Sequence, residues 1–195
     1  MKRIVSLLLL LVLVVSLTAC TDPAGKDSKT NTPVTAGEAE PFSIRNNVTW
    51  GMTRKQVETA EAESNMSKNE GVFNEHWRAL AYYPAPVEIG YVFQLLYMFG
   101  DEKLSSIIYD SGSDVGANEY TDMIKAMNDI YGAERTPETA EVLKVLDVML
   151  PGMYNASNVV DACAWKYGTD TDIYMFKYQK DMFIIMYVNS AVFAE

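Results

Sequence analysis

The amino-acid sequence predicts an α+β protein in which two helix-plus-antiparallel-sheet units follow each other in tandem. Short segments rich in Val, Ile, Tyr and Phe are separated by turn residues, which is typical of antiparallel strands. Apolar residues at helical spacing precede each group of strands. We therefore expect one mostly antiparallel sheet with the helices packed on one of its faces.

The first unit is expected to begin with an extended lead and one helix. Thr53, followed by Gln56 three positions later, makes a capping box, which is typical of a helix N-terminus. Pro84 and Pro86 interrupt the first strand segment that follows, so we expect that strand to lie at an edge of the sheet. The predicted strand segments of this unit are residues 79–87, 90–99 and 103–111.

The second unit is expected to contain two helices and three strands. Apolar residues at one helical spacing form a stripe that ends before Gly132, namely Tyr120, Met123, Ile124, Met127, Ile130 and Tyr131. Thr136 and Pro137 are typical of the start of the next helix, and Pro151 ends it. The three strand segments are residues 162–169, 172–179 and 181–190.

Two short matches suggest that the units are repeats, at residues 42–112 and 118–190. YMF occurs at 97–99 and again at 174–176, and SIIY at 106–109 corresponds to IIMY 78 residues later. Matches of this length also arise by chance, so the duplication is an interpretation that depends on the order of the elements.

The first 19 residues are expected to be a signal peptide. Lys2 and Arg3 give the chain a positive start, and an apolar run follows at residues 4–17. A transmembrane helix needs roughly 20 apolar residues, so this run is short for a membrane span. It ends in the sequence LTAC at residues 17–20, which resembles the lipobox of bacterial lipoproteins.

The lipobox resemblance implies cleavage between Ala19 and Cys20 and a diacylglyceryl group on the Cys20 thiol. The membrane is then a partner through a covalent lipid, at the extracytoplasmic side of the cell membrane or of the outer membrane. Residues 20–41 have no apolar periodicity and are expected to be a flexible tether to a globular domain at 42–195. An ordinary signal peptide or an uncleaved anchor is the other interpretation.

Composition disfavours several classes of function. The formal charge of −10 disfavours binding to nucleic acid, whose phosphates attract Lys and Arg. His76 is the single histidine, and no HExxH, CxxC or GxSxG motif accompanies it. The acidic segments at 110–114 and 168–172 are interpreted as solvated turns. Once Cys20 is lipidated, Cys163 has no partner for a disulfide and is expected to be a small buried residue. We expect no catalytic residue, no metal and no cofactor.

Aromatic residues alternate along the predicted strands of the second unit. Period-two alternation sends each set to one face of the sheet. Tyr and Trp suit surfaces that are wet when free and buried when bound, so one face is a candidate partner-binding surface. The candidates are Trp165, Tyr167, Tyr174 and Tyr178. The other interpretation is that these side chains pack beneath the helices.

A family resemblance is carried by the segment from the extended lead into the first helix. The matching residues are Trp50, Gly51, Met52, Thr53, Gln56 and Val57. This segment resembles the opening of small bacterial lipoproteins of the SmpA/OmlA (BamE-like) type, and two such units in tandem resemble the β-lactamase-inhibitor-protein fold. The resemblance implies a protein-binding or scaffold role without catalysis, with an envelope protein as partner. A lipoprotein that binds a small molecule or a glycan, and that could be a hydrolase, is the alternative.

Overall fold

A seven-stranded antiparallel sheet organises the described part of the chain. The computed structural model describes residues 42–72, 77–86, 92–112, 116–150, 155–179 and 181–193, which all belong to one unit spanning residues 38–195. The elements in chain order are β1 (Ser43–Ile44), β2 (Val48–Thr49), α1 (Arg54–Ala60), β3 (Ser67–Val72), β4 (Trp77–Pro86), β5 (Val92–Gly100), β6 (Lys103–Asp110), α2 (Ala117–Tyr131), α3 (Thr139–Met149), β7 (Val159–Tyr167), β8 (Thr171–Tyr178) and β9 (Met182–Asn189).

The large sheet consists of two meanders, β3–β6 and β7–β9, which pair through their last strands, β6 and β9. Its strand order is β3-β4-β5-β6-β9-β8-β7, and each neighbouring pair is antiparallel. At the junction of β6 with β9, Ile108 lies opposite Met186. Strands β1 and β2 form a separate two-stranded hairpin before α1. The predicted α+β class with a mostly antiparallel sheet is confirmed.

The prediction that all helices pack on one face is wrong. Helices α1 and α2 cover one face and form the first core through residues such as Val57 and Met123, whereas α3 covers the other face and forms the second core through residues such as Leu146. The reason lies in the central strands, where neighbours such as Ile107 and Ile108 point to opposite faces and are both fully buried. An apolar surface on each face needs its own cover.

The two central hairpins share one register. In β5–β6, Leu96 lies opposite Ile108, and 78 residues later in β8–β9, Tyr174 lies opposite Met186. The SIIY and IIMY segments therefore occupy corresponding places. The two YMF segments do not occupy equivalent positions in this register, because their spacing in the sequence differs from it by one residue. Tyr97 consequently faces the first core and Tyr174 the second.

Local signals at the helix ends are partly confirmed. Thr53 caps α1 with the predicted capping box, since its main-chain N–H donates to Gln56 Oε1 at 2.8 Å. Helix α3 begins at Thr139 with Glu138 as its N-cap, rather than at Pro137 with Thr136 as its N-cap, because Arg135 forms a β-bridge with Ala164 and keeps the preceding chain extended.

The expectation that the proline-containing strand lies at an edge is wrong. Strand β3, which the sequence analysis did not predict, pairs with β4 and takes the edge position. Pro84 is tolerated because it lies at the irregularity in the β4–β5 register between Tyr82 and Ala85.

Candidate functional site

The four aromatic residues predicted to bind a partner do not form one free surface. Trp165, Tyr174 and Tyr178 expose only 2%, 4% and 3% of their surface, and Tyr167 is half-buried. Trp165 belongs to the first core, whereas Tyr174 and Tyr178 belong to the second. The β7–β8 register explains this, because Trp165 lies opposite Ile173 and Tyr174 lies opposite Ala164. The predicted binding face is thus corrected to core packing.

Several other predicted positions lie outside the described residues. These are Ala19 and Cys20 at the cleavage site and His76. Cys163 is described, and it is a buried free thiol whose sulfur lies 3.9 Å from Tyr120 Oη. Burial raises the pKa of the Cys163 thiol, which keeps it in the protonated, unreactive form.

A buried carboxylate lies where the N-terminal segment meets the sheet. Glu61 is the residue that ends α1, and it exposes only 2% of its surface. Its Oε1 accepts a hydrogen bond from Tyr97 Oη and lies 3.1 Å from Arg45 Nε in an ion pair. Its Oε2 accepts a hydrogen bond from Asn46 Nδ2 at 2.9 Å. Each carboxylate oxygen therefore has a partner from its own chain.

The backbone of the β1–β2 hairpin places the partners of Glu61. Residues 45–47 form a 3-10 turn in which Asn46 and Asn47 have φ angles of 55° and 59°. Asn adopts this left-handed conformation more readily than most residues, so the turn can carry Arg45 and Asn46 towards the carboxylate. Sequence reasoning missed Glu61. The available signal was its position four residues after Val57, on the buried face of α1.

Phenol groups surround this carboxylate. Burial, and then the hydrogen bond to Glu61, raise the pKa of Tyr97 far above its ordinary value. Burial, and then the negative charge of Glu61, raise the pKa of Tyr82 to about 12. Burial likewise raises the pKa of Tyr109. These phenols therefore stay neutral at physiological pH.

The segment that holds this ion pair also contacts the second meander. We call residues 42–50 the N-terminal clasp. Phe42 stacks on Trp50 with 4.8 Å between ring centroids, and its ring lies 5.5 Å from that of Tyr187 in β9. Trp50 Nε1 donates a hydrogen bond to Thr171 Oγ1 at 2.8 Å, at the start of β8. The N-terminal clasp therefore ties the carboxylate at the end of α1 to strands β8 and β9.

A second polar cluster lies at the β7 edge of the sheet. The main chain of Arg135 exchanges two hydrogen bonds with Ala164, of 2.9 and 2.8 Å. Its guanidinium makes two bonds to Glu141, of 2.8 and 2.5 Å, and Tyr174 Oη donates to the same carboxylate at 2.8 Å. The hydrogen bonds from Arg135 hold the pKa of Glu141 below its ordinary value. This cluster fixes the connection between α2 and α3 against β7.

Carboxylates in the acidic segments at 110–114 and 168–172 accept hydrogen bonds from their own chain. Asp110 accepts a hydrogen bond from the Gly112 N–H at 2.8 Å, and Asp172 accepts one from Ser190 Oγ at 2.6 Å. Over the described ranges, no group of three or more His, Cys, Asp or Glu side chains is arranged to hold a metal ion.

Comparison of the chain with protein-family models, with curated proteins and with solved structures finds no match. Among the residues that the structure describes, no helix combines the length and the hydrophobicity that crossing a bilayer requires.

The Glu61 ion pair should contribute substantially to folding stability. Glu61→Gln leaves the partly buried Arg45 without its counter-charge, so we expect the free energy of unfolding to fall by about 3 kcal/mol. Urea denaturation measures this change. Glu63→Gln is the matched control, since Glu63 is an exposed acid two residues away, and it should change stability by less than about 0.5 kcal/mol. Equal effects of the two variants would contradict a structural role for Glu61.

The burial of Tyr174 and Tyr178 can be tested in the same way. Tyr174→Ala and Tyr178→Ala should each lower the free energy of unfolding by about 3 kcal/mol or more, because each leaves a cavity in the second core. Tyr83→Ala should have little effect, because Tyr83 is 58% exposed. Thermal melts compare the three variants. A native-like melting temperature for Tyr174→Ala would show that this face is not core.

Proposed function

We propose that this chain is a membrane-anchored bacterial lipoprotein that acts on the extracytoplasmic side of the cell envelope as a non-catalytic protein-interaction or scaffold module. The observation that carries the proposal is the LTAC junction at residues 17–20, which follows a short apolar leader. In this proposal Cys20 carries the lipid, and residues 20–41 connect it to the globular domain. The lipid then holds the domain at the surface of the cell membrane or of the outer membrane.

We also infer that the sheet arose from tandem units at 42–112 and 118–190. The common register of the β5–β6 and β8–β9 hairpins supports this, since their paired residues differ by 78 positions throughout the central part. Under that correspondence Ile108 is equivalent to Met186, and the two lie opposite each other in the β6–β9 pair. A two-fold axis through the sheet requires such a self-paired position. Helix α3 has no counterpart among the described helices of the first unit.

The element order supports the resemblance to SmpA/OmlA (BamE-like) lipoproteins and to the tandem fold of β-lactamase-inhibitor protein. Gly51 has a φ angle of 75°, which favours glycine, and it turns the chain from β2 towards α1. Thr53 then caps α1, and an antiparallel meander follows. A scaffold role is what this resemblance implies.

The chemistry of the two polar clusters, of which only the one around Glu61 is buried, also favours a structural role over a catalytic one. The carboxylates of Glu61 and Glu141 are bound by arginine and tyrosine side chains of their own chain. Each cluster connects a loop or a helix to the sheet. Polar groups engaged in this way stabilise a rigid domain that can present its surface to a partner.

Lipidation of Cys20 can be tested in a bacterial host. Wild-type protein should partition into the detergent phase, and its mature N-terminus should be an acylated Cys20. Cys20→Ser should lose both properties, because serine offers no thiol for the lipid. Cys163→Ala is the matched control and should behave as wild type, since Cys163 is buried in the domain. Wild-type protein with a free Cys20 thiol in the aqueous phase would contradict the proposal.

Crosslinking in the native host, followed by mass spectrometry, tests the interaction role separately. Crosslinking of the wild-type protein should recover an envelope protein as partner. Crosslinking of Cys20→Ser should recover less of that partner, because the domain is no longer held at the membrane. Turnover of a substrate that is lost on mutation of an acidic residue would contradict the non-catalytic assignment.

A further inference from the structure

One edge of the large sheet is covered at Ala164, and the other has no strand beside it among the described residues. At the β7 edge, Arg135 pairs with the outward main-chain groups of Ala164. At the opposite edge the sheet ends with β3, and no other described strand pairs with its outer side. An open edge presents main-chain donors and acceptors that can pair with a strand from another molecule.

The hydrogen-bonding direction along β3 follows from the pattern of the sheet. In an antiparallel sheet the main-chain groups of successive residues point alternately to the two neighbouring strands. The alternation that begins at Ala164 in β7 continues through the registers of all seven strands and directs Lys68 and Glu70 outward. The Glu70 N–H accordingly bonds to the side chain of Asn69, at 2.8 Å, on the outer side.

We propose that β3 is an interaction edge through which two copies of this chain pair, β3 against β3, in antiparallel orientation. The inference does not depend on the lipid anchor or on the proposed envelope role. Residues 67–70 are exposed, and β3 contains no proline, so each of these residues has a main-chain N–H that can take part in pairing. The single bond between the Asn69 side chain and the Glu70 N–H would be replaced by ladder bonds to the second copy.

The charges on β3 select both the partner and the register. The side chains of Lys68 and Glu70 lie on the α1 side of the sheet, where Lys68 Nζ is 3.1 Å from Glu58 and Glu70 is 2.5 Å from Arg54. They remain 43% and 50% exposed. Antiparallel pairing centred on Lys68 or on Glu70 would bring like charges together, which is destabilising. Pairing centred on Asn69 places each Lys68 opposite Glu70 of the second copy.

A two-fold axis at Asn69 makes this contact occur twice. The strand is therefore complementary to itself, which favours a second copy over an unrelated peptide as the occupant. In this register Asn69 faces Asn69 of the second copy at a position without ladder hydrogen bonds, where Cα atoms are about 4.5 Å apart. That distance lies within the range that a disulfide spans.

Cysteine crosslinking of the full chain tests the inference. Asn69→Cys should form a covalent dimer under mild oxidation, visible on a non-reducing gel and lost on reduction. Ser67→Cys is the matched control because Ser67 is exposed on the same face. In the proposed register, however, it lies roughly 13 Å along the strand from Ser67 of the second copy. The wild-type chain, oxidised in the same way, shows how much covalent dimer forms through Cys20 or Cys163 alone.

Charge reversal provides the second measurement, made in the Asn69→Cys background. Lys68→Glu alone and Glu70→Lys alone should each cause loss of the crosslinked dimer, and the combined exchange should restore it. Circular dichroism melts verify that each variant is folded. Absence of the Asn69→Cys dimer, equal crosslinking of Ser67→Cys, or folded single reversals that crosslink as before would each overturn the proposal.

Discussion

Burial on both faces of the central strands is the constraint on which the rest of the structure depends. Ile107 and Ile108 are adjacent in β6, point in opposite directions and are both fully buried. Burying one such side chain stabilises the fold by roughly 1.5–3 kcal/mol, so neither face can be left to solvent without a large loss. The chain meets this requirement with α1 and α2 on one face and α3 on the other. The positions of the polar clusters follow, because each lies where a covering segment is fixed to the sheet.

The same constraint directs where another molecule can bind. The aromatic side chains of the second meander are used in the two cores, so they do not form a free contact surface. The N-terminal clasp contacts Glu61 on one side and strands β8 and β9 on the other, so residues 42–50 are held against the sheet. At the β7 edge the main chain of Ala164 is engaged by Arg135, whereas at the β3 edge Lys68 and Glu70 direct their main-chain groups outward. The open sheet edge at β3, rather than the aromatic faces, is therefore the surface that we propose for interactions.

Local patterns in the sequence predicted the apolar strands, the capped start of α1 and the apolar stripe of α2. Thr53 and Gln56 identified the start of α1, and the short apolar segments identified the central strands. Strand β3 was missed because Lys68 and Glu70 give it neither alternation nor hydrophobicity. The burial of Trp165 and Tyr174 could not be predicted, since it depends on which helix covers each face. The Glu61 cluster was missed because its partner on β5, Tyr97, lies 36 residues away in sequence.

Native-state hydrogen exchange tests most directly the central claim that the two meanders form one cooperative sheet. If they do, the amides that join β6 to β9 should exchange only through global unfolding, with the same opening free energy as the amides within β5 and β8. A lower opening free energy across the whole of β7–β9 than across β4–β6 would contradict the account, because it would show that the second meander opens independently of the first.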